Sequence, residues 1–256
     1  MDLIGLPAAI QFLTRVPLRL RREPALASAV PWFPVAGALV GAVIGGAAAG
    51  LWHVVPPVLA AAIAVVLGVL VTGAFHEDGL ADVADAFGGG WTVERRLEIL
   101  KDPRHGSYGV AAMSASIVVR VVALGSIPGP AAMLWSTIAA HTIARGAAVV
   151  LMGAAPIARA EGLGADYARQ VSLRRSLVGG AIATVITAAA MIGRFGWTAH
   201  AALAVALAGL AGALGAIAVA WLARRKIGGI TGDVLGAAEQ IGECLVLVVL
   251  ASTRWH

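Results

Sequence analysis

The chain has 256 residues, of which 59% are hydrophobic and only 13% are charged, and its mean hydropathy is +0.87. Because a soluble domain usually carries about 25% charged residues, this composition excludes an ordinary soluble protein and predicts an integral membrane protein. The formal net charge of +5 comes from basic residues clustered between apolar runs, which is typical of membrane topology and does not indicate nucleic-acid binding.

The first 20 residues are apolar but are interrupted by Pro7, Arg15 and Pro17. The apolar stretch 3–13 is too short to cross a bilayer, so we expect an interfacial or re-entrant helix there. Seven later segments approach the roughly 20 apolar residues that a membrane-crossing helix needs. They are 33–52, 57–75, 108–127, 131–152, 177–193, 197–222 and 233–250.

These segments predict an all-α integral membrane protein, a bundle of about seven transmembrane helices plus the N-terminal helix, forming one polytopic domain over 1–256. We expect membrane lipid to surround the bundle. Small residues at a spacing of four, such as Gly41 and Gly45, suit close helix packing within the chain or in a homo-oligomer.

The basic residues predict the orientation of the bundle. Fifteen of the 19 Lys and Arg residues lie in the N-terminal segment, the loops 76–107 and 153–176, and the turn 224–226. Only Arg194 and Arg254 lie on the opposite side. By the positive-inside rule, the N-terminus lies in the cytoplasm and the C-terminus lies outside the bacterial inner membrane.

An acidic stretch directly follows the second predicted span, and seven of the 14 acidic residues lie between Glu77 and Asp102. Asp78, Asp82 and Asp85 are spaced i, i+4, i+7 and so share one helix face, where their charges repel unless a cation lies between them. Oxygen ligands of this kind, together with phosphates, suit Mg²⁺. We predict a cytoplasmic active-site loop over 76–107 in which these carboxylates hold Mg²⁺; a solvated acidic face is the alternative.

The second half of this loop contains candidates for binding phosphate. Lys101 and Arg104 can contact phosphate oxygens. Gly106 and Gly109 precede the third span, and backbone N–H groups left open at a helix N-terminus favour an anion. A positively charged loop at the membrane edge, without a ligand, is the alternative.

Ionisable groups inside predicted spans are functional candidates by default. They are Arg120, His141, Arg145, Glu239 and Glu243. The two glutamates are spaced i, i+4, and they can pair with Arg145 or Arg120 within the bundle or ligate the metal. Thr231 or Asp233 can cap the last span after a glycine-rich turn, and such a cap is the alternative to a role in binding a ligand.

Five motifs, in this order along the chain, resemble those of the cobalamin synthases, the adenosylcobinamide-GDP ribazoletransferase family. They are Phe-Leu-Thr-Arg-Val-Pro at 12–17, Phe-Pro-Val-Ala-Gly at 33–37, the acidic stretch 75–85, the loop 94–109 and the glycine-rich segment 228–237. The resemblance covers nearly the full length. Glu77 and His105 stand where the resemblance implies apolar residues, so neither is assigned an essential role.

The resemblance implies the last assembly step of cobalamin, catalysed by a Mg²⁺-dependent phosphotransferase. The ribose 3′-hydroxyl of α-ribazole, or of its 5′-phosphate, attacks the corrinoid-side phosphorus of adenosylcobinamide-GDP, and GMP leaves. His76 is expected as a base beside the catalytic, metal-binding Asp78, Asp82 and Asp85. The expected substrate-binding residues are Arg15, Lys101, Asp102, Arg104, Gly106, Arg145, Thr231, Asp233, Glu239 and Glu243.

Three other classes compete with this interpretation. A phosphotransferase of the CDP-alcohol type also uses an Asp-Gly motif, but the Ala-Arg that usually follows it is replaced here by a segment containing Asp82. A prenyltransferase would need two strongly acidic loops. A cation transporter would place its charges near the membrane midplane on broken spans.

Overall fold

A computed structural model describes residues 5–18, 26–158 and 171–252. Apart from turns and one isolated bridge between Ile157 and Ile230, the secondary structure of these residues is helical, which confirms the predicted all-α fold. The helices are α1 (Gly5–Leu13), α2 (Leu26–Ala29), a 3₁₀ turn (Val30–Trp32), α3 (Phe33–Leu51), α4 (Pro57–Thr72), α5 (Phe75–Gly89), α6 (Val93–Ile99), α7 (Ser107–Gly125), α8 (Pro130–Ala154), α9 (Leu173–Phe195), α10 (Ala199–Ile227) and α11 (Gly232–Ala251).

Within these described ranges, six helices are long and apolar enough to cross a membrane, and the bent pair of α4 and α5 brings the number to as many as seven. The protein is therefore a multi-pass membrane protein, as predicted. The stretch 3–13 forms a helix from Gly5 onward, and its position relative to the bilayer stays a prediction. Several basic residues used for the orientation lie outside the described residues: Arg19, Arg21, Arg22, Arg159, Arg169 and Arg254.

Side-chain caps explain where several helices begin. Thr92, Ser172, Thr198 and Thr231 each accept a hydrogen bond from the backbone N–H three residues further along. Such a bond satisfies one of the N–H groups that a helix leaves without an intrahelical partner. Thr231 caps the last span, which is one of the two caps that the sequence allowed there.

The centre of the bundle is α8, which packs against α3, α9, α10 and α11. Gly37, Gly41 and Gly45 form a stripe on α3 that faces the α8 backbone. A Cβ atom on Gly41 would lie 2.7 Å from the Thr137 carbonyl oxygen and 2.8 Å from the Ile138 Cα. The two helices therefore approach each other as closely as glycine allows, which is the small-residue packing that the sequence predicted.

Replacing Gly41 by Ala is expected to lower the free energy of unfolding by about 1–3 kcal/mol, because the added methyl group would force α3 and α8 apart. Gly46 on the same helix is the matched control, since a Cβ atom there meets nothing within 4 Å. Gly46→Ala should be neutral or slightly stabilising, because alanine favours the helix. Unfolding in detergent by added denaturing surfactant measures both variants, and equal effects would contradict the packing argument.

The predicted span 57–75 is not one straight helix. Helix α4 ends at Thr72, Gly73 and Ala74 take left-handed φ angles of 68° and 59°, and α5 leaves at 88° to α4. The 16 residues of α4 extend about 24 Å, less than the roughly 30 Å of the hydrocarbon core. Arg15 lies at this break: its backbone N–H donates to Val71 O at 2.7 Å, and its side chain packs on Gly73.

The loops rich in basic residues meet at one end of the bundle, called here the basic end. Arg96 Nη1 donates to the Lys226 carbonyl oxygen at 3.0 Å, and the Ala158 N–H donates to Ile230 O at 2.9 Å. These bonds join α6 to the end of α10, and the segment after α8 to the turn between α10 and α11. Arg194 lies elsewhere, bonded to Leu250 O at 3.0 Å near the end of the last helix. The structure thus gathers on one side the loops that the topology prediction grouped.

Candidate functional site

Asp78, Asp82 and His105 form a cluster at the basic end, called here the acidic cluster. His105 Nε2 lies 3.2 Å from Asp78 Oδ1, and its Nδ1 lies 3.4 Å from Asp82 Oδ1. One ligand atom from each of the three side chains lies within 4.8 Å of the others. The Asp78 side chain is 62% exposed and that of Asp82 15% exposed, so a ligand can reach the cluster. Two carboxylate oxygens at this separation fit a divalent cation such as Mg²⁺.

Asp85 is the third aspartate of the predicted metal face, but its carboxylate has other partners. Its two oxygens accept hydrogen bonds from the N–H groups of Gly106, at 2.6 Å, and Gly109, at 2.9 Å. Asp85 therefore stabilises the N-terminus of α7, where the helix dipole favours a negative charge. The two N–H groups that we expected to be open to a phosphate are occupied by this side chain. The assignments of Asp85 to metal and of Gly106 to substrate stay predictions.

Replacing Asp85 by Ala separates these two roles. Two N–H groups at the start of α7 would lose their acceptor, so we expect the free energy of unfolding to fall by about 1–3 kcal/mol. The rise in melting temperature on adding Mg²⁺ should persist. Asp102→Ala is the matched control, because that half-buried carboxylate accepts its hydrogen bonds from Arg104 and none from the start of α7. If Asp85→Ala removed the effect of Mg²⁺ as completely as Asp82→Asn does, Asp85 would be a metal ligand.

The N-terminus of α11 lies beside the acidic cluster. Gly79, between the two cluster aspartates, faces this helix so closely that a Cβ atom would lie 2.9 Å from the Asp233 carbonyl oxygen. Thr231 Oγ1 accepts from the Val234 N–H at 3.3 Å and donates to Asp233 Oδ2 at 3.2 Å. The glycine in the acidic stretch therefore allows close helix contact, and the roles of Thr231 and Asp233 toward substrate stay predictions.

The predicted phosphate-binding residues lie in the loop between α6 and α7. Lys101 and Arg104 line one solvent-open depression, together with Arg95 and Asp102. Arg104 Nε and Nη2 donate to the two oxygens of Asp102 at 2.9 and 2.7 Å. These hydrogen bonds lower the pKa of Asp102 to about 2 and raise the pKa of Arg104. Because the pKa of the acid is lowered, the pair is complete at neutral pH and is lost only as the pH falls through about 2.

A second set of ionisable side chains lies inside the bundle and is called here the buried network. Arg120 Nη2 bonds to Glu77 Oε1 at 2.9 Å, and its Nη1 lies 3.3 Å from Glu243 Oε1. Arg145 Nη1 lies 2.6 Å from Glu239 Oε1. Two imidazoles complete the set. The members are His76, Glu77, Arg120, His141, Arg145, Glu239 and Glu243, each no more than 6% exposed.

The contacts of the network join four helices, α5, α7, α8 and α11. His141 Nδ1 lies 2.9 Å from Glu243 Oε2, and His76 Nδ1 lies 3.5 Å from both Arg145 Nη2 and Glu239 Oε2. Three carboxylates thus surround two guanidinium groups, and breaking such a buried pair leaves a charge without compensation. Of the two roles that the sequence left open for the intramembrane glutamates, the structure shows the pairing with arginine, and one ligand atom each of His141, Glu239 and Glu243 also lies within 4.8 Å of the others. The predicted contacts of the two glutamates with substrate stay predictions.

The structure places His76 and His105 in positions that differ from those we expected. His76, predicted as the base, is buried in the network, whereas His105, which the resemblance left without a role, lies between the cluster aspartates. Glu77 lies in the network, away from the acidic cluster. The one sequence signal for His105 was its position in the predicted phosphate-binding loop. Its contact with α5 depends on the fold of residues 90–106, which no local pattern specifies.

A multi-helix bundle with an accessible acidic cluster at one end and a network of buried ion pairs inside defines a polytopic membrane protein with a candidate site at the end of its bundle. The sequence model of the cobalamin-5-phosphate synthase family matches residues 5–251, and the chain belongs to that family.

Similar curated proteins carry one name, adenosylcobinamide-GDP ribazoletransferase. That of Bradyrhizobium diazoefficiens is 39% identical over 252 residues, covering 95% of this chain and 92% of the relative. That of Mesorhizobium japonicum is 39% identical, covering 93% and 89%, and that of Pseudomonas paraeruginosa is 38% identical, covering 96% and 97%. No solved structure shows a significant match.

Proposed function

We propose that this protein transfers the adenosylcobinamide phosphate of adenosylcobinamide-GDP to α-ribazole or α-ribazole 5′-phosphate and releases GMP. The observation that carries the proposal is the family match across 5–251, together with relatives named for this reaction that align over nearly their whole length. This membership also disfavours the CDP-alcohol and prenyltransferase alternatives. The same membership disfavours a transporter, since the relatives are named for a transferase reaction.

Asp78 and Asp82 are the residues that would hold Mg²⁺, and the ion would supply positive charge to the pyrophosphate. Phosphoryl transfer depends mainly on positioning the reacting groups and on neutralising the charge of the phosphates, so the protein needs no covalent bond to the substrate. Lys101 and Arg104, on the neighbouring loop, would bind phosphate oxygens of the GDP portion. Asp102 holds the guanidinium of Arg104 in place for that contact.

His105 is our candidate for the group that accepts the proton of the ribose hydroxyl. Its two ring nitrogens lie 3.2 and 3.4 Å from carboxylate oxygens of Asp78 and Asp82, so one nitrogen must give up its carboxylate contact before it takes the proton of a hydroxyl bound at the cluster. His76 has no such position, because Arg145 and Glu239 lie against its Nδ1. We place this site on the cytoplasmic side of the inner membrane, where the clustered basic loops belong.

The direct test is GMP release by the full-length protein in liposomes supplied with adenosylcobinamide-GDP. Release should require both α-ribazole and Mg²⁺ and should stop when EDTA is added. Parallel assays with α-ribazole and its 5′-phosphate identify the preferred acceptor. Release of a nucleoside monophosphate from a CDP-alcohol substrate, with none from adenosylcobinamide-GDP, would sink the proposal and favour the first alternative.

A further inference from the structure

An apolar cleft opens beside the buried network at the basic end. Three aromatic rings form its wall: Phe12 stacks on Phe33 at 5.4 Å between centroids and meets Phe75 edge-to-face at 5.3 Å. Met152 and Leu235 lie among the other lining residues. The cleft has a volume of about 70 Å³, which is room for roughly five water molecules.

One side of this cleft is polar. His76, Arg145 and Glu239 line it, and each is at least nine-tenths buried. An otherwise apolar cleft with a few convergent polar groups is the usual form of a site for a small organic ligand. Aromatic walls stack on flat rings, and a buried imidazole can share a hydrogen bond with a ring nitrogen.

We propose that this cleft binds the benzimidazole base of the α-ribazole acceptor, an inference that rests on the proposed function. The base is a flat, methylated bicycle with one ring nitrogen free to form a hydrogen bond. Guanine would bring amide and amino groups that this apolar wall cannot satisfy. The corrin ring carries many amide side chains and is far larger than the cleft.

The position of the cleft supports this occupant. Phe75 precedes Asp78 by three residues on α5, which is about 4.5 Å along the helix axis. Gly232, in the turn before Asp233, lines the cleft, and Asp233 in turn contacts Gly79 between the cluster aspartates. A base in the cleft would therefore have its ribose directed toward the ends of α5 and α11 that lie beside the acidic cluster.

The test fills the cleft from α8. Ala148 lines it, and Ala148→Phe should raise the KM for α-ribazole at least about tenfold while the KM for adenosylcobinamide-GDP stays within about twofold. Phe75→Leu, which removes a stacking ring but no volume from the bundle centre, should raise the same KM about tenfold. Ala154→Phe on the exposed end of α8 is the matched control and should behave as wild type. Calorimetry with free dimethylbenzimidazole should show weaker binding to the first two variants.

Several results would overturn the inference. Unchanged acceptor KM in both cleft variants, with wild-type GMP release intact, would sink it and leave the proposed function standing. If native mass spectrometry then showed fewer bound phospholipids in Ala148→Phe, the occupant would be a lipid chain. A rise in the donor KM in place of the acceptor KM would assign the cleft to adenosylcobinamide-GDP. If the wild type releases no GMP, the proposed function fails, and the inference fails with it.

Discussion

Replacing Asp82 by Asn lowers the rate of GMP release by at least about 100-fold, without lowering the melting temperature. The loss is expected because a charged oxygen ligand at a metal-dependent centre contributes several kcal/mol to stabilising the transition state, and each 1.36 kcal/mol is tenfold in rate. Stability should hold or rise, since the variant removes one of several like charges on the same helix face as Asp78 and Asp85. Steady-state GMP release and thermal unfolding in detergent measure the two effects.

Two further measurements make this result specific to the metal. The melting temperature of wild type should rise with added Mg²⁺ and that of Asp82→Asn should not, because only an ion that binds the folded state stabilises it. Asp102→Asn is the matched carboxylate control in the neighbouring loop and should retain the Mg²⁺ effect. Normal turnover by Asp82→Asn with Mg²⁺ bound would remove Asp82 from the metal site.

Replacing Arg120 by Met is expected to lower the free energy of unfolding by about 3–5 kcal/mol. The variant keeps a long apolar side chain but leaves Glu77 and Glu243 without the guanidinium that bridges them inside the bundle. Surfactant-induced unfolding measures the loss. Arg95→Met is the matched control, because Arg95 pairs with Glu98 at the surface and such pairs contribute about 1 kcal/mol or less.

A second substitution tests whether the loss comes from uncompensated charge. Adding Glu77→Gln to Arg120→Met removes one of the stranded carboxylates, so the double variant should recover part of the lost stability. A double variant less stable than Arg120→Met alone would show that Glu77 has another essential partner.

Much of the fold was predictable because it follows local rules. Apolar runs of sufficient length predicted the spans, and a threonine before an apolar run indicated that Thr231 can cap the last one. The break at Gly73 and Ala74 was not predictable, because alanine rarely adopts a left-handed conformation and no pattern marks the 88° bend. Arg15 was expected to bind substrate, and only the fold shows that it packs at this break.

The candidate site, too, was predictable only in those features that follow local rules. The i, i+4 spacing of Asp78 and Asp82 was enough to predict a shared face, since helix periodicity is a local property. The partners of Asp85 and the contacts of His105 come from residues about 20 or more positions away, so they depend on how the loop after α5 folds back. That glutamates pair with arginines was predictable, because the apolar bundle contains few charges. Which glutamate pairs with which arginine was not predictable.

The sequence by itself determined that this is a helical membrane protein, which family it resembles and where its acidic helix face lies. These properties depend on composition, periodicity and motif order, all of which are local or read along the chain. Only the tertiary structure decided that Asp85 caps α7, that His105 lies at the acidic cluster while His76 is buried, and that three phenylalanines from α1, α3 and α5 line one cleft. Those assignments depend on contacts between distant segments, and such contacts are selected by packing and charge compensation across the whole bundle.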